Sequence, residues 1–364
     1  MARVLIAPDS FKGSASATEV AAALKEGWLS TRPADDVVTV PMADGGEGTL
    51  DAFESAFVGS KRMPVAVSGP DGRPVHAEWL LLPDGAGLVE LANTSGITLV
   101  QHLDPLGAHT RGFGQAISAA LDFGVHRLYL ALGGSCSTDG GTGMLRELGA
   151  RFLNADGDEI GDGGGALTQL DAVDLTELAP LPAGGCIALT DVTNPLCGST
   201  GAAFVFGPQK WAGVDDIDLL EHAMSLLASR MPADATAAGS GAAGGTGFGL
   251  LAWGARIEIG SSAVAGALEL GAKLAEADLV VSGEGRFDRQ SLDGKVLSYF
   301  ISECAEREVP LALVAGSIQA PVTQFEGAVS LSTVAGSAAA AMSEPQRWLR
   351  AAGAELARSY ELGS

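Results

Sequence analysis

One phrase recurs near both ends of this chain: a short apolar run, a polar glycine-rich loop, then a segment of helical character. Arg3-Val-Leu-Ile-Ala-Pro8 leads into Asp9-Ser-Phe-Lys-Gly-Ser14, and Val37-Val-Thr-Val40 into Pro41-Met-Ala-Asp-Gly-Gly-Glu-Gly-Thr49. Further on, Leu279-Val-Val-Ser282 leads into Gly283-Glu-Gly-Arg-Phe-Asp288, Leu311-Ala-Leu-Val-Ala315 into Gly316-Ser317, and Val329-Ser-Leu-Ser332 into Thr333. Short apolar strands alternating with helices predict a parallel, doubly wound sheet, because parallel neighbours must be joined by crossovers that cover both faces. The first helix carries its own start signal. Ser16 with Glu19 three residues on makes a capping box, Val20, Leu24 and Leu29 form an inner stripe, and Pro33 closes the segment.

The middle of the chain reads differently. Turn signals at Gly69-Pro-Asp-Gly72 and Pro83-Asp-Gly85 flank alternating apolar stretches between Val65 and Val89, which predicts antiparallel strands. Arg127–Leu132 is a further strand, running into the glycine-rich loop Gly133–Gly141. Asp234–Gly249, rich in Ala and Gly and without strong periodicity, reads as a loop near the site or a hinge. At 364 residues two domains are expected. The reading is an α/β domain of residues 1–62 and 265–364, interrupted by an α+β domain of residues 63–264 with its own sheet.

The net charge of −22 sets this chain against nucleic acid and anionic membrane surfaces as partners. It also means that a phosphate-handling site needs local positive charge or magnesium. The four cysteines form no Cys-x-x-Cys pair, no basic-then-apolar leader opens the chain, and no apolar run is long enough to span a membrane. A cytoplasmic protein is expected.

Several loops place chemistry at strand ends, where open α/β sheets bind ligands. Asp9, Ser10 and Lys12 follow the first strand, although Asp and Ser there also make ordinary turns. Asp44 and Glu47 lie among glycines, and two carboxylates so close call for a cation, magnesium being the natural one. The alternative is an acidic helix N-terminus favoured by the dipole. Gly133–Gly141 offers closely spaced amides plus Ser135, Ser137 and Thr138 hydroxyls to cradle phosphate oxygens, with Asp139 as a metal contact. No Gly-x4-Gly-Lys-Ser/Thr occurs, and Gly239-Ser-Gly-Ala-Ala-Gly244, which matches Gly-x-Gly-x-x-Gly, has no strand before it and reads as chance. Of six lysines, Lys12, Lys210 and Lys295 lie in glycine-flanked segments, either to neutralise a bound anion or simply solvated. Asp191 follows the apolar run Cys186–Thr190, placed either to accept a hydroxyl proton or to make an Asx-turn before Pro195. The five histidines show no metal-ligand spacing, and no Gly-x-Ser-x-Gly elbow is present.

In order and combination these segments resemble the bacterial glycerate kinase family almost end to end. The matching stretches are Pro8–Gly13, Met42–Thr49, Gly133–Ser135 with Asp139–Gly141, Asp191-Val192 with Asn194–Leu196, Phe206–Lys210, and Ser282–Arg286 with Asp288, Gln290 and Gly294-Lys295. The resemblance implies a flavodoxin-like domain interrupted by a restriction-enzyme-like one. It also implies phosphorylation of D-glycerate by ATP with magnesium, giving 2-phosphoglycerate, in a cleft between the domains. In such an enzyme Asp191, Lys12, Lys295 and Asp9 are the expected catalytic residues, and Ser10, Arg286, Asn194 and Lys210 hold substrate. Gly133, Gly134, Ser135, Gly140 and Gly141 cradle phosphate, and Asp44, Glu47, Asp139, Glu284 and Asp288 hold or position the metal. Two departures from the family pattern stand out. Arg111 and Gln115 replace a tyrosine and an acid, and Ser137-Thr138 replaces Thr-Asn; the first raises the question of a changed acceptor. The expected partners are small-molecule substrates, and a homo-oligomer is compatible with the sequence. A silent ligand-binding protein would not need the acidic and basic loop residues retained here. A nicotinamide dehydrogenase would need a glycine fingerprint that the first loop lacks.

Overall fold

All five apolar runs near the chain ends form strands of one parallel sheet. The computed structural model describes residues 1–292 and 296–360 and divides the chain into two units. The first comprises Met1–Asp44, Asp51–Val58 and the chain from Ser261 on; the second comprises Gly45–Leu50 and Gly59–Gly260. The segment Gly45–Leu50, read from the sequence as part of the interrupted domain, therefore groups with the second unit.

The first unit's strands are Arg3–Ile6, Asp36–Thr39, Leu279–Phe287, Leu311–Ile318 and Gly327–Ser330. Numbered in chain order they lie 2-1-3-4-5, every pairing parallel, which is the flavodoxin order. The third strand exceeds expectation. It continues through Gly283–Phe287, read from the sequence as loop, because its pairing with the fourth runs on to Phe287 opposite Ile318. The helix Ala17–Thr31 begins as its capping box requires: Ser16 accepts from the Glu19 amide at 3.2 Å, and Glu19 accepts from the Ser16 amide at 2.9 Å. Its buried face, Val20, Leu24 and Trp28, joins Val4, Ile6, Val281, Val314, Leu349 and Leu356 in one core. Each such side chain contributes about 1.5–3 kcal/mol by leaving water.

In the second unit, Lys61–Ser68, Pro74–Leu81, Gly87–Glu90, Leu128–Ala131, Cys186–Leu189 and Arg256–Glu258 make a six-stranded sheet in sequential order. The first three are antiparallel and the rest parallel, so the expected meander passes into crossover strands. The core is built on Trp79, Phe113, Ile117, Leu130, Leu145, Phe152, Phe248 and their neighbours. Together the units make the expected α/β fold. No helix among the described residues is long and apolar enough to cross a membrane.

Candidate active site

In a 2-1-3-4-5 sheet the order reverses between strands 1 and 3, and the loops leaving those strands splay apart to leave a crevice at their carboxyl ends. This chain puts Asp9–Ser14 on one side of that point and Glu284–Asp288 on the other. Asp9, Ser10, Lys12, Asp44, Glu284, Arg286 and Asp288, all singled out by the sequence, line a single cavity of about 370 Å³ in the first unit. Phe11, Ser14 and Ser317 line it as well, and Leu331, Ala338, Ala341, Met342 and Pro345 form an apolar wall. Close backbone approach shapes the floor. A Cβ on Gly316 would overlap the Gly285 carbonyl, so the strand ends can meet here only if position 316 carries no side chain.

The cavity's electrostatics are unbalanced. Asp9 is buried, and its Oδ1 accepts from the Ser10 amide at 2.6 Å. Burial pushes this carboxyl up to about 8, Asp44 and Glu284 acting in the same direction, Lys12 and the Ser10 amide against it. Lys12 Nζ lies 3.7 Å from Asp44 Oδ2, and Arg286 Nε 2.9 Å from Asp288 Oδ2. Among the described lining residues four carboxylates thus share two cationic side chains. Lys295 lies outside the described residues.

The second unit gathers the other loops. Gly133, Gly134, Ser135, Gly140 and Gly141 follow the strand Leu128–Ala131, and the Gly133 amide donates to the Gly45 carbonyl at 3.1 Å. A Cβ on Gly133 would fall on Gly46 Cα, so the two glycine loops touch backbone to backbone. Glu47 is exposed in the second of them and is not part of the cavity. Asp191 comes two residues after the strand Cys186–Leu189 and is half-buried; Asn194 donates from Nδ2 to the Thr200 carbonyl at 2.8 Å.

Two of the expected site residues are buried in hydrogen-bond networks of the second unit. Asp139 is fully buried, and its carboxylate accepts from the Thr110 amide (2.8 Å) and hydroxyl (2.7 Å) and from the Gly141 and Gly143 amides (both 3.2 Å). These four hydrogen bonds fix the loop. Lys210, read as a substrate contact, is 1% exposed. Its ammonium donates to Ser135 Oγ at 3.0 Å and to the Ser137 carbonyl, pinning the glycine loop from beneath. Burial pushes it down to about 8. The departures Arg111 and Gln115 are likewise engaged internally. Arg111 pairs with Glu147 at 2.5 Å and Asp162 at 3.3 Å, and Gln115 Oε1 accepts from the Ser68 amide at 2.7 Å.

Sequence reasoning missed the role of the Gly/Ala-rich stretch. Part of it is the helix Ala242–Trp253, entered through Ala243, Gly244 and Gly245, all with positive φ. A Cβ on Gly244 would overlap the Ser137 carbonyl, and the Gly140 amide donates to the Gly244 carbonyl at 3.0 Å. The stretch is a backbone-only support for the 133–141 loop. Its clue was the density of glycine where a helix begins.

A flavodoxin-order sheet with carboxylates and cations gathered at its switch point, and a glycine loop with amides and hydroxyls held on a buried lysine, are the equipment of a small-molecule phosphotransferase. Comparison with known proteins narrows that class. The glycerate kinase family model matches residues 4–361, and the chain belongs to that family. It is 41% identical to the glycerate kinase of Bacillus subtilis (strain 168) over 327 residues, 87% of this chain and 85% of that one. It is 40% identical to the glycerate 2-kinase of Escherichia coli (strain K12) over 326 residues, again 87% and 85%. Its fold is similar to the crystal structure of a proposed glycerate kinase 2 from Salmonella typhimurium LT2, with a TM-score of 0.84 at 37% identity, covering 98% of each chain. The expected activity, a glycerate kinase consuming ATP, stands on that membership.

Proposed function

We propose that this enzyme transfers the γ-phosphoryl group of ATP to the 2-hydroxyl of D-glycerate, releasing ADP and 2-phosphoglycerate. The convergence of seven expected residues on one cavity at the sheet's switch point carries the reading. The choice of the 2-hydroxyl is supported by the name of the E. coli relative, glycerate 2-kinase.

Among the described residues no group of three or more His, Cys, Asp or Glu is placed to hold a metal ion. Magnesium does not need one, since it commonly takes one or two carboxylates plus substrate phosphates and water. Asp44 and Glu284 add to the burial that drives Asp9 toward its protonated form, a divalent cation would relieve their share, and these two are the residues that would hold it. When bound, magnesium would offset charge on the phosphate oxygens.

The chain's own residues supply the rest. Lys12 and Arg286 present positive charge in the cavity, and the 133–141 loop presents amides and hydroxyls. Asp191 accepts the proton of the attacking hydroxyl as the bond from its oxygen to phosphorus forms and the bond to the departing ADP oxygen breaks. Asp191→Asn is expected to lower kcat by roughly 10²–10⁴-fold with an unchanged unfolding temperature. A folded Asp191→Asn enzyme of undiminished kcat removes Asp191 as the base. Chelation by EDTA is expected to abolish turnover, and full activity without any divalent cation would remove magnesium from the account.

A further inference from the structure

We infer that the cavity of the first unit is the nucleotide site, with the base against the wall formed by Leu331, Ala338, Ala341 and Met342. The inference rests on the kinase reading and deepens it by dividing the two substrates between binding surfaces.

The cavity's lining is of two kinds, separated along the chain. Its polar residues come from the strand-end loops around Asp9, Lys12, Glu284 and Ser317, whereas its apolar residues, apart from Phe11, come from one C-terminal segment, Leu331 to Pro345. Glycerate carries an oxygen on every carbon and has no apolar face to lay against that segment. A purine base has two. Size agrees, because about 370 Å³ suits a ligand of cofactor dimensions and a three-carbon acid would fill only part of it.

The segment is also built to receive something flat. Ala338 and Met342 sit on the helix Ala338–Ser343, where the alanine leaves room and the methionine, 57% exposed, offers a thioether of the kind that packs well on aromatic rings. Charge points the same way. With carboxylates outnumbering cations among the described lining residues, the cavity repels a bare small carboxylate more than a ligand that brings a divalent cation with it. Finally, the site lies where a 2-1-3-4-5 sheet holds a mononucleotide-sized ligand, at the crevice between strands 1 and 3.

The test uses the full chain and two exposed positions whose substitution leaves the core untouched, Ala338→Trp and Met342→Glu. Calorimetric titration with Mg·ADP, without glycerate, is expected to show binding to the parent and at least roughly tenfold weaker binding to each variant. In turnover, KM for ATP should rise while KM for glycerate stays within about twofold, uniform binding of one substrate alone being lost. Unchanged ADP affinity in both variants, or a rise confined to the glycerate KM, overturns the inference and leaves the kinase reading standing. Parent protein that binds ADP more tightly than either variant but phosphorylates no glycerate sinks the glycerate kinase reading and keeps the nucleotide site.

Discussion

Replacing Lys210 with Met tests whether a buried ammonium, and not merely a buried stem, holds the 133–141 loop. The change keeps the side chain's length and removes Nζ, leaving the Ser137 carbonyl and Ser135 hydroxyl without that donor. Orphaning a buried polar group costs about 1–3 kcal/mol. Against this stands the desolvation of the ammonium itself, which lowers its pKa from 10.5 to about 8. In the unfolded chain the lysine keeps its ordinary value, so between about pH 8 and 10.5 the unfolded state binds more protons and stability rises with pH. Below that window both states are protonated and the folded protein carries the whole penalty, about 3 kcal/mol. At about pH 7 the two effects in the variant nearly cancel, and it should lie within about 1 kcal/mol of the parent. At about pH 10 the parent has regained most of the penalty and the variant should trail by about 2–3 kcal/mol. Urea denaturation of both proteins across this range reads the difference directly. A gap that stays constant from about pH 7 to 10 would refute the depressed lysine.

Other expectations follow from the same geometry. Gly133→Ala places a Cβ on Gly46 Cα, and is expected to destabilise by about 1–3 kcal/mol through overpacking; thermal unfolding identical to the parent's would deny the backbone contact. Asp44→Asn should raise the magnesium concentration needed for half-maximal turnover with little loss of stability. Asp139→Asn should do the reverse, lowering the unfolding temperature and leaving the magnesium requirement unchanged, because its carboxylate is occupied by four loop and helix donors. Arg111→Ala removes a half-exposed pair with Glu147 and is expected to cost no more than about 1 kcal/mol, with KM for glycerate unaltered. A large shift in that KM would make Arg111 a specificity residue.

The parts of this molecule that could be read from sequence are those fixed by local physics. Strand positions in the parallel sheet followed from apolar runs, and the start of the first helix from Ser16 and Glu19, whose reciprocal hydrogen bonds are present. Loop residues destined for strand ends 1 and 3 were legible because sheet topology alone dictates where such loops open. What escaped depends on partners distant in sequence. The hold on Asp139 could not be read locally, since its chief partner, Thr110, lies 29 residues earlier. Lys210 drew notice by rarity, but nothing near it in sequence shows that Ser135 and Ser137 sit above its ammonium. The Gly/Ala-rich stretch gave no helical period because three successive left-handed residues break the geometry on which periodicity depends.

The central claim is transfer of phosphate from ATP to the 2-hydroxyl of glycerate. Phosphorus NMR of a reaction containing the enzyme, ATP, magnesium and D-glycerate tests it in one spectrum. The account predicts ADP together with a phosphomonoester whose proton coupling is that of a phosphate on a methine carbon, as in 2-phosphoglycerate. A resonance coupled to a methylene pair, as in 3-phosphoglycerate, would contradict the assigned acceptor, and a spectrum showing no new phosphate ester would contradict the kinase itself.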